Sequence, residues 1–429
     1  MSTDPGDSAA SSGSSLGPDT SGSPGPLSDL RVIDLATVIA GPGCARYLGD
    51  FGADVIKVER PGGDTARELG WKDPRDQQSL WWKIVGRNKR TITLDLKNED
   101  DLQVMLQLCD SADVLVENFR PGTLERLGLS PSVLHDRNPG LVITRVTGFG
   151  QTGPYKERAA FATQAEALSG FAALNGEPGG KPLLPPIALT DELAAIVAAF
   201  ATMVAVHSGQ GQVVDISLIE SMLQIMGPLV PLFGMLGQTQ QRLGAGIPYT
   251  VPRNTYQTAD ARWVAVSSSA ESVAQRVLEL IGLGGESELA DFEGRVAHRD
   301  RIDECMSNWM LQRTQAEALA EFERVDAAAA PVYDMADIFV DPQYLARNAI
   351  MTVDGVPMPH LVAQLSATPG SVRWAGRAQN QDAVEIRAEA QAEAHVRAEA
   401  QAEARVRAEA QAEASVRAEA QAEAPPESL

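Results

Sequence analysis

Short apolar runs of strand length alternate with amphipathic stretches through the first half of the chain. RVIDLATV (31–38) reads as a buried strand, and GPGCARYLGDF after it opens a helix with Pro42 in the first turn, where a missing N–H costs little. ADVIKVER (53–60) predicts the next strand, which makes a βαβ unit with its turn at Ala40 to Gly43. KRTITLDLK (89–97) predicts a strand, Asn98 a helix cap, DDLQVMLQLC a helix, and ADVLVENF (112–119) and LVITRVTGFG (141–150) two further strands. Such alternation implies an α/β fold, a mostly parallel sheet covered on both faces, with ligands at the carboxyl ends of the strands.

The second half is organised differently. NGEPGGKPLLPP (175–186) is a Gly-rich turn, Thr190 to His207 a long apolar helix, and GQVVDIS a strand followed by another helix. From about residue 228 the segments loosen: PRNTYQTADARWVAVSS (252–268) predicts a turn and strand pair, with helices to about 325. The expected organisation is a large domain over 28–227, a smaller α+β domain over 228–329, and a return segment over 330–376. Residues 1–27, dominated by Ser, Gly, Pro and Asp, read as a disordered leader. Over 377–429, RAEAQAEA recurs at 387, 397, 407 and 417; because the period of ten is neither seven nor eleven, Val396, Val406 and Val416 drift around the helix, and a solvated, partly helical tail is expected.

Composition narrows the function. With 429 residues, 44% of them hydrophobic, the chain can bury a sizeable core. The net charge of -21 argues against a nucleic-acid partner, although the tail supplies part of the acidity. Cys44, Cys109 and Cys305 lie far apart without metal or disulfide spacing, which fits a reducing cytoplasm. No signal pattern and no unbroken apolar run of about 18 residues is present, so neither secretion nor membrane spanning is expected.

Candidate chemistry gathers at the predicted strand ends. Ala40 with Gly41, Pro42 and Gly43 enters a helix N-terminus and Arg60 ends a strand, an arrangement suited to an anion and equally common as an ordinary turn. Lys97, Asn118, Phe119 and Arg126 follow later strands; cations, an amide and a ring together suit a nucleotide bearing phosphates. The five histidines show no metal spacing and no GxSxG elbow occurs, so no metal site is expected. Asp191 opens the long helix, as a cap or first-turn acid or as a catalytic carboxylate.

Taken in order, RVIDLATVIAGPGCARYLGDFGADVIKVERPGGD, NKRTITLDLK, DVLVENFRPGTLERLGL, TGFGQTGPY, SGFAALNGEP, LTDELAA and GQVVDISLIESM resemble the family III CoA-transferases, which include formyl-CoA transferase, carnitine CoA-transferase and α-methylacyl-CoA racemase. The likeness extends through PRNTYQTADARWVAVS and AAAAPVYDMADIFVDPQYLAR and covers roughly 29–376. It implies a Rossmann-like large domain, a smaller domain and two chains interlocked as rings. It implies coenzyme A or an acyl-CoA as substrate rather than a permanently bound cofactor, held by Ala40, Arg60, Leu94, Lys97, Asn118, Phe119 and Arg126, with Thr147 where some members carry lysine.

In those enzymes an aspartate attacks the thioester, and an acceptor carboxylic acid finally takes over the CoA; a carboxylate is nucleophilic at neutral pH and leaves again. The family turn GEPDGPP is GEPGGKP here, so Gly179 stands in the nucleophile's place, while Gly180 keeps the ordinary turn role. Glu177 lies two residues away as a weak substitute. Asp191 matches the racemase aspartate, but the partner histidine's GHD motif corresponds to Phe161 and Ala162. The resemblance therefore leaves a transferase using another carboxylate, a CoA-binding protein without turnover, or a subunit without its own nucleophile, as in the succinyl-CoA:benzylsuccinate type. The chain would then act as a homodimer or beside a paralogous subunit.

Overall fold

The structure, a computed structural model, describes residues 25–422. Six strands, β1 (Arg31–Asp34), β2 (Asp54–Glu59), β3 (Lys89–Thr93), β4 (Val114–Glu117), β5 (Val142–Thr147) and β6 (Val213–Ser217), form one wholly parallel sheet in the order β3-β2-β1-β4-β5-β6. Val32 pairs with Val55 on one side and Val114 on the other, which fixes the central register. Alternate residues then serve opposite faces. Ile33, Ile56, Ile92, Leu115 and Ile143 pack with Met105 and Leu108 of the helix Glu99–Asp110. Val32, Val55, Val114 and Val142 pack with Cys44, Ala45 and Leu48 of Ala40–Asp50 and with Ala194 and Ala198 of Leu189–His207. Each fully buried aliphatic side chain contributes about 1.5–3 kcal/mol, so neither face can be left open.

The strands are shorter than the apolar runs that predict them. RVIDLATV leaves the ladder after Asp34, whose Oδ1 accepts the Ala36 N–H at 3.1 Å and turns the chain. Asn98 does cap the following helix, its Oδ1 accepting the Asp101 N–H at 3.1 Å.

β7 (Arg253–Gln257), β8 (Trp263–Ser267) and β9 (Ala329–Pro331) make a separate antiparallel sheet over a core of Tyr256, Val264, Met306, Met310 and Phe322. A hairpin of β10 (Ile350–Val353) and β11 (Val356–Pro359) turns at Asp354 and Gly355, both at positive φ, the geometry a two-residue hairpin needs. The chain then returns to the large sheet, where the Trp374 carbonyl accepts the Asn88 N–H at 3.1 Å.

Two sequence expectations need correction. The tail is not solvated throughout: the helix Ala383–Ala422 buries Ala383, Ile386 and Ala390 in the large core, and Arg387 pairs with Asp101 at 2.6 Å while Arg90 pairs with Glu389 at 2.9 Å. Ile386 precedes the repeat and supplies the apolar anchor that the repeat lacks. Of the leader expected over 1–27, residues 1–24 lie outside the described residues, whereas Leu27 packs on the core and donates to the Phe51 carbonyl at 3.0 Å. The helix Leu189–His207, at 19 residues, is long and apolar enough to cross a bilayer by length and composition; here its alanines pack on Ala40–Asp50.

Candidate functional site

The carboxyl ends of β1, β2 and β3 enclose a pocket of about 180 Å³ whose lining includes Thr37, Lys57, Arg60, Leu94, Lys97 and Phe119. Four of the seven ligand residues implied by the sequence therefore converge. Arg60 leaves the end of β2 and donates through Nε to the Gly63 carbonyl at 3.1 Å, which orients its guanidinium. Lys97 and Leu94 follow β3, and Phe119 follows β4. The pocket thus offers two exposed cations above apolar walls, an arrangement that accepts phosphates and an aromatic base.

The other three stand apart. Ala40, 5% exposed, is the first residue of its helix. Asn118 grips the backbone of Thr37 from both sides, its Oδ1 accepting the N–H at 2.8 Å and its Nδ2 donating to the carbonyl at 2.7 Å. Arg126 is exposed and donates to the Thr123 hydroxyl at 2.8 Å.

Beneath the pocket lies a buried charge network that the sequence reasoning missed. Lys57 Nζ is 3.0 Å from Asp64 and also donates to the Ala36 carbonyl; Lys89 Nζ reaches Asp34 at 2.7 Å and the Pro42 carbonyl at 2.5 Å. Burial works against the Asp64 carboxylate, yet Lys57 and the N–H groups of Ala66 and Val38 outweigh it and hold its pKa below the ordinary value. The bond from Val38, at 3.0 Å, restrains a β-branched residue at φ +70°, a costly left-handed conformation. Asp64 and Asn118 together fix the loop that delivers the chain from β1 into the helix. KVER and PGGD carried these residues in plain sight, but a lysine inside an apolar strand gives no sign of its partners.

At the Gly-rich turn, Gly179 and not Gly180 adopts positive φ, at +70°, and the Gly180 N–H donates to the Glu177 carbonyl at 2.9 Å. A Cβ at Gly179 would meet nothing within 4 Å. Glu177 is exposed; its Oε2 lies 3.0 Å from the place of a Cβ on Gly244. Asp191 sits in the first helical turn and is not the cap, which is Ala188 without a side-chain bond. Burial, then Glu166 and Glu192, pushes the Asp191 carboxyl up to about 6. Glu166 is 3% exposed and accepts the Thr190 hydroxyl at 3.1 Å, whereas Glu192 is occupied by Arg46 at 2.9 Å and Tyr47 at 3.1 Å. Phe161 and Ala162 begin the helix Ala162–Leu168 and bring no imidazole to this region. The Thr147 hydroxyl, at the end of β5, is buried without a hydrogen-bond partner. Among the described residues no group of three or more His, Cys, Asp or Glu could hold a metal.

A wholly parallel sheet in the order β3-β2-β1-β4-β5-β6, with a pocket at its strand ends, defines a Rossmann-type α/β protein. Within that class the chain belongs to CoA-transferase family III, whose model matches residues 27–383. It is 38% identical to succinyl-CoA–D-citramalate CoA-transferase of Chloroflexus aurantiacus, over 85% of this chain and 93% of that protein. It is 39% identical to the succinyl-CoA–L-malate CoA-transferase β subunit of the same organism, over 85% and 94%. A CaiB/BaiF family protein from Brucella suis superposes with a TM-score of 0.78 at 29% identity, covering 86% of this chain and 100% of that one.

Proposed function

We propose that the chain binds coenzyme A or an acyl-CoA along the strand ends and takes part in moving CoA between an acyl-CoA and a carboxylic acid. The convergence of Arg60, Leu94, Lys97 and Phe119 on one pocket carries this reading. Arg60 and Lys97 hold phosphate, Phe119 and Leu94 cover the base, Ala40 and Asn118 act through the loop and helix start, and Arg126 closes the rim. Both relatives' names pair succinyl-CoA with another dicarboxylic acid, and the proposed acyl class here is likewise dicarboxylic. Residues 28–227 would form the CoA-binding domain, 228–329 the smaller one and 330–376 the return. Three unpaired cysteines favour the cytoplasm.

A second chain belongs to this reading. Ile196, Phe200 and Val204 form an exposed apolar row on Leu189–His207, and Phe233, Met235 and Leu236 another on Leu229–Leu236. Apolar rows of this size call for a covering surface, supplied by an interlocked copy or a paralogue. Gly179 cannot form an anhydride, so a paralogue that supplies the carboxylate is the second reading, favoured by the relative named as a β subunit.

Calorimetric titration with CoA tests the core of the proposal: binding should occur and weaken on Arg60→Ala, and no binding to the wild type refutes it. Aspartate tolerates left-handed backbone better than most residues, and the open space at Gly179 has room for it. Gly179→Asp incubated with succinyl-CoA and hydroxylamine should then yield an adduct at residue 179, an aspartyl hydroxamate formed as hydroxylamine displaces succinate from the anhydride or CoA from the aspartyl thioester. A variant that binds CoA but forms no adduct would show that the pocket lacks more than its nucleophile.

A further inference from the structure

A cavity of about 510 Å³ abuts the Gly-rich turn, walled by Phe171, Asn175, Met226, Gly244, Tyr249 and Arg253 among others. One bond ties it to that turn, from the Gly244 N–H to the Gly176 carbonyl at 3.2 Å, and Asn175 in the wall exchanges two bonds with Leu183 at 2.9 and 3.1 Å, closing the loop with Gly179 at its outer end. The wall mixes apolar side chains with polar groups such as Asn175 and Gln240, and its one cation is Arg253.

Arg253 opens β7, where its backbone is fixed opposite Ser267. Its guanidinium has no hydrogen-bond or ion-pair partner among the described residues. Other arginines of this region are engaged: Arg295 with Glu271 at 2.5 Å, Arg299 with the Ile247 carbonyl at 2.8 Å, Arg276 with the Val325 carbonyl at 2.6 Å. A planar five-donor fork left unused in a partly apolar concavity is matched to a carboxylate, which it can bind through two parallel hydrogen bonds. Glu177 is the acid at the cavity edge, and it is exposed to solvent beside Gly244.

The strand order relates the neighbourhood of this cavity to the pocket at Arg60. Ile225 and Met226 in its wall follow the helix that leaves β6 directly, and β6 is four strands from β2 in the sheet. Four strand spacings are about 19 Å, the span from β2 to β6 that a pantetheine arm laid across the strand ends from the pocket at Arg60 would cross before reaching the helix Leu218–Gln224.

We propose that Arg253 binds the distal carboxylate of a dicarboxylic acyl group and so sets the acyl class of the CoA ester. This rests on the CoA-binding reading above. The methylenes lie against Phe171 and Met226, and a terminal methyl in place of the carboxylate leaves the guanidinium without its partner.

The test is calorimetric titration of the full chain with CoA, succinyl-CoA and butyryl-CoA at fixed salt, since the last two differ at the far end of the acyl group. The wild type should prefer succinyl-CoA to butyryl-CoA by about 10-fold or more, the range for a charged hydrogen-bonding partner. Arg253→Gln should bring the ratio close to one while CoA affinity stays the same, and Arg253→Lys should fall between. A wild-type ratio near one, or a preference that survives Arg253→Gln, overturns the assignment while CoA binding leaves the broader reading standing. Failure of all three ligands to bind overturns both.

Discussion

Replacing Asp191 by asparagine should stabilise the protein at neutral pH, an unusual direction for a residue in the first turn of a helix, where an acid normally helps. Burial and the neighbouring Glu166 and Glu192 raise this carboxyl from 3.8 to about 6 in the folded chain. Between those values the unfolded chain has lost the proton and the folded chain keeps it, so stability falls as pH rises from about 4 to about 6 and stays reduced above. A shift of about two units at 1.36 kcal/mol each makes the penalty about 3 kcal/mol above pH 6. Asparagine cannot ionise and escapes it. Arg46 and Tyr47 do not relieve the penalty, because both are spent on Glu192. The assay is urea unfolding of wild type and Asp191→Asn in parallel from pH 4 to pH 8, read as the difference between the two, which cancels groups that titrate alike. The variant should be more stable by about 2–3 kcal/mol at pH 8, with the difference vanishing toward pH 4. Glu166→Gln should recover part of the same gain. A variant no more stable than wild type at pH 8, or a gap that does not close on acidification, would refute the placement of Asp191 in a desolvated, acid-crowded position.

Other sites give sharper single measurements. Lys97→Ala should weaken CoA binding about 10-fold or more, the effect of one charged hydrogen bond, and the loss should shrink at high salt because Lys97 is exposed. Ile386→Ala should cost about 2–5 kcal/mol in denaturant unfolding, since Ile386 is wholly buried between the tail helix and the sheet; an unchanged midpoint would mean that the tail is not docked. Val38→Gly should leave stability unchanged or raise it by about 1 kcal/mol, because glycine relieves roughly 1–3 kcal/mol of left-handed strain and returns part of it as chain entropy. An ordinary Val-to-Gly loss of several kcal/mol there would contradict the backbone at this position.

The parallel sheet was legible because its central strands are buried on both faces: VI of β1, VI and V of β2 and VLV of β4 are apolar whichever way each residue points, interrupted only by Asp34 and Lys57. The same property blurred their ends. LATV, LDLK and NF continue the apolar texture into the loops, yet those residues have left the ladder to build the pocket, so each predicted strand ran into the site it should have stopped short of. Exposed cations at strand ends were legible for the complementary reason, since Arg60 and Lys97 have no structural use that the sequence could assign to them.

What stayed hidden was pairing. Lys57 and Lys89 each sit in a strand pattern, and nothing local distinguishes a lysine that snorkels to solvent from one whose charge is met by Asp34 and Asp64 brought from elsewhere in the fold. Val38 shows the consequence. A β-branched residue has no intrinsic tendency toward φ +70°, so its conformation is imposed by Asp64 from the PGGD turn and, through Thr37, by Asn118 from the end of β4. The entry into the helix at Ala40 is therefore set by contacts 26 and 81 residues away along the chain, and a motif match to AGPG could identify the segment without explaining its shape. The glycine pair follows the same logic in reverse: either residue could take the left-handed position, and the bond from the Gly180 N–H to the Glu177 carbonyl assigns it to Gly179. The position for which the sequence resemblance implies an aspartate is thus also the one where the turn asks for a residue at ease with positive φ, which aspartate and glycine both satisfy and most others do not.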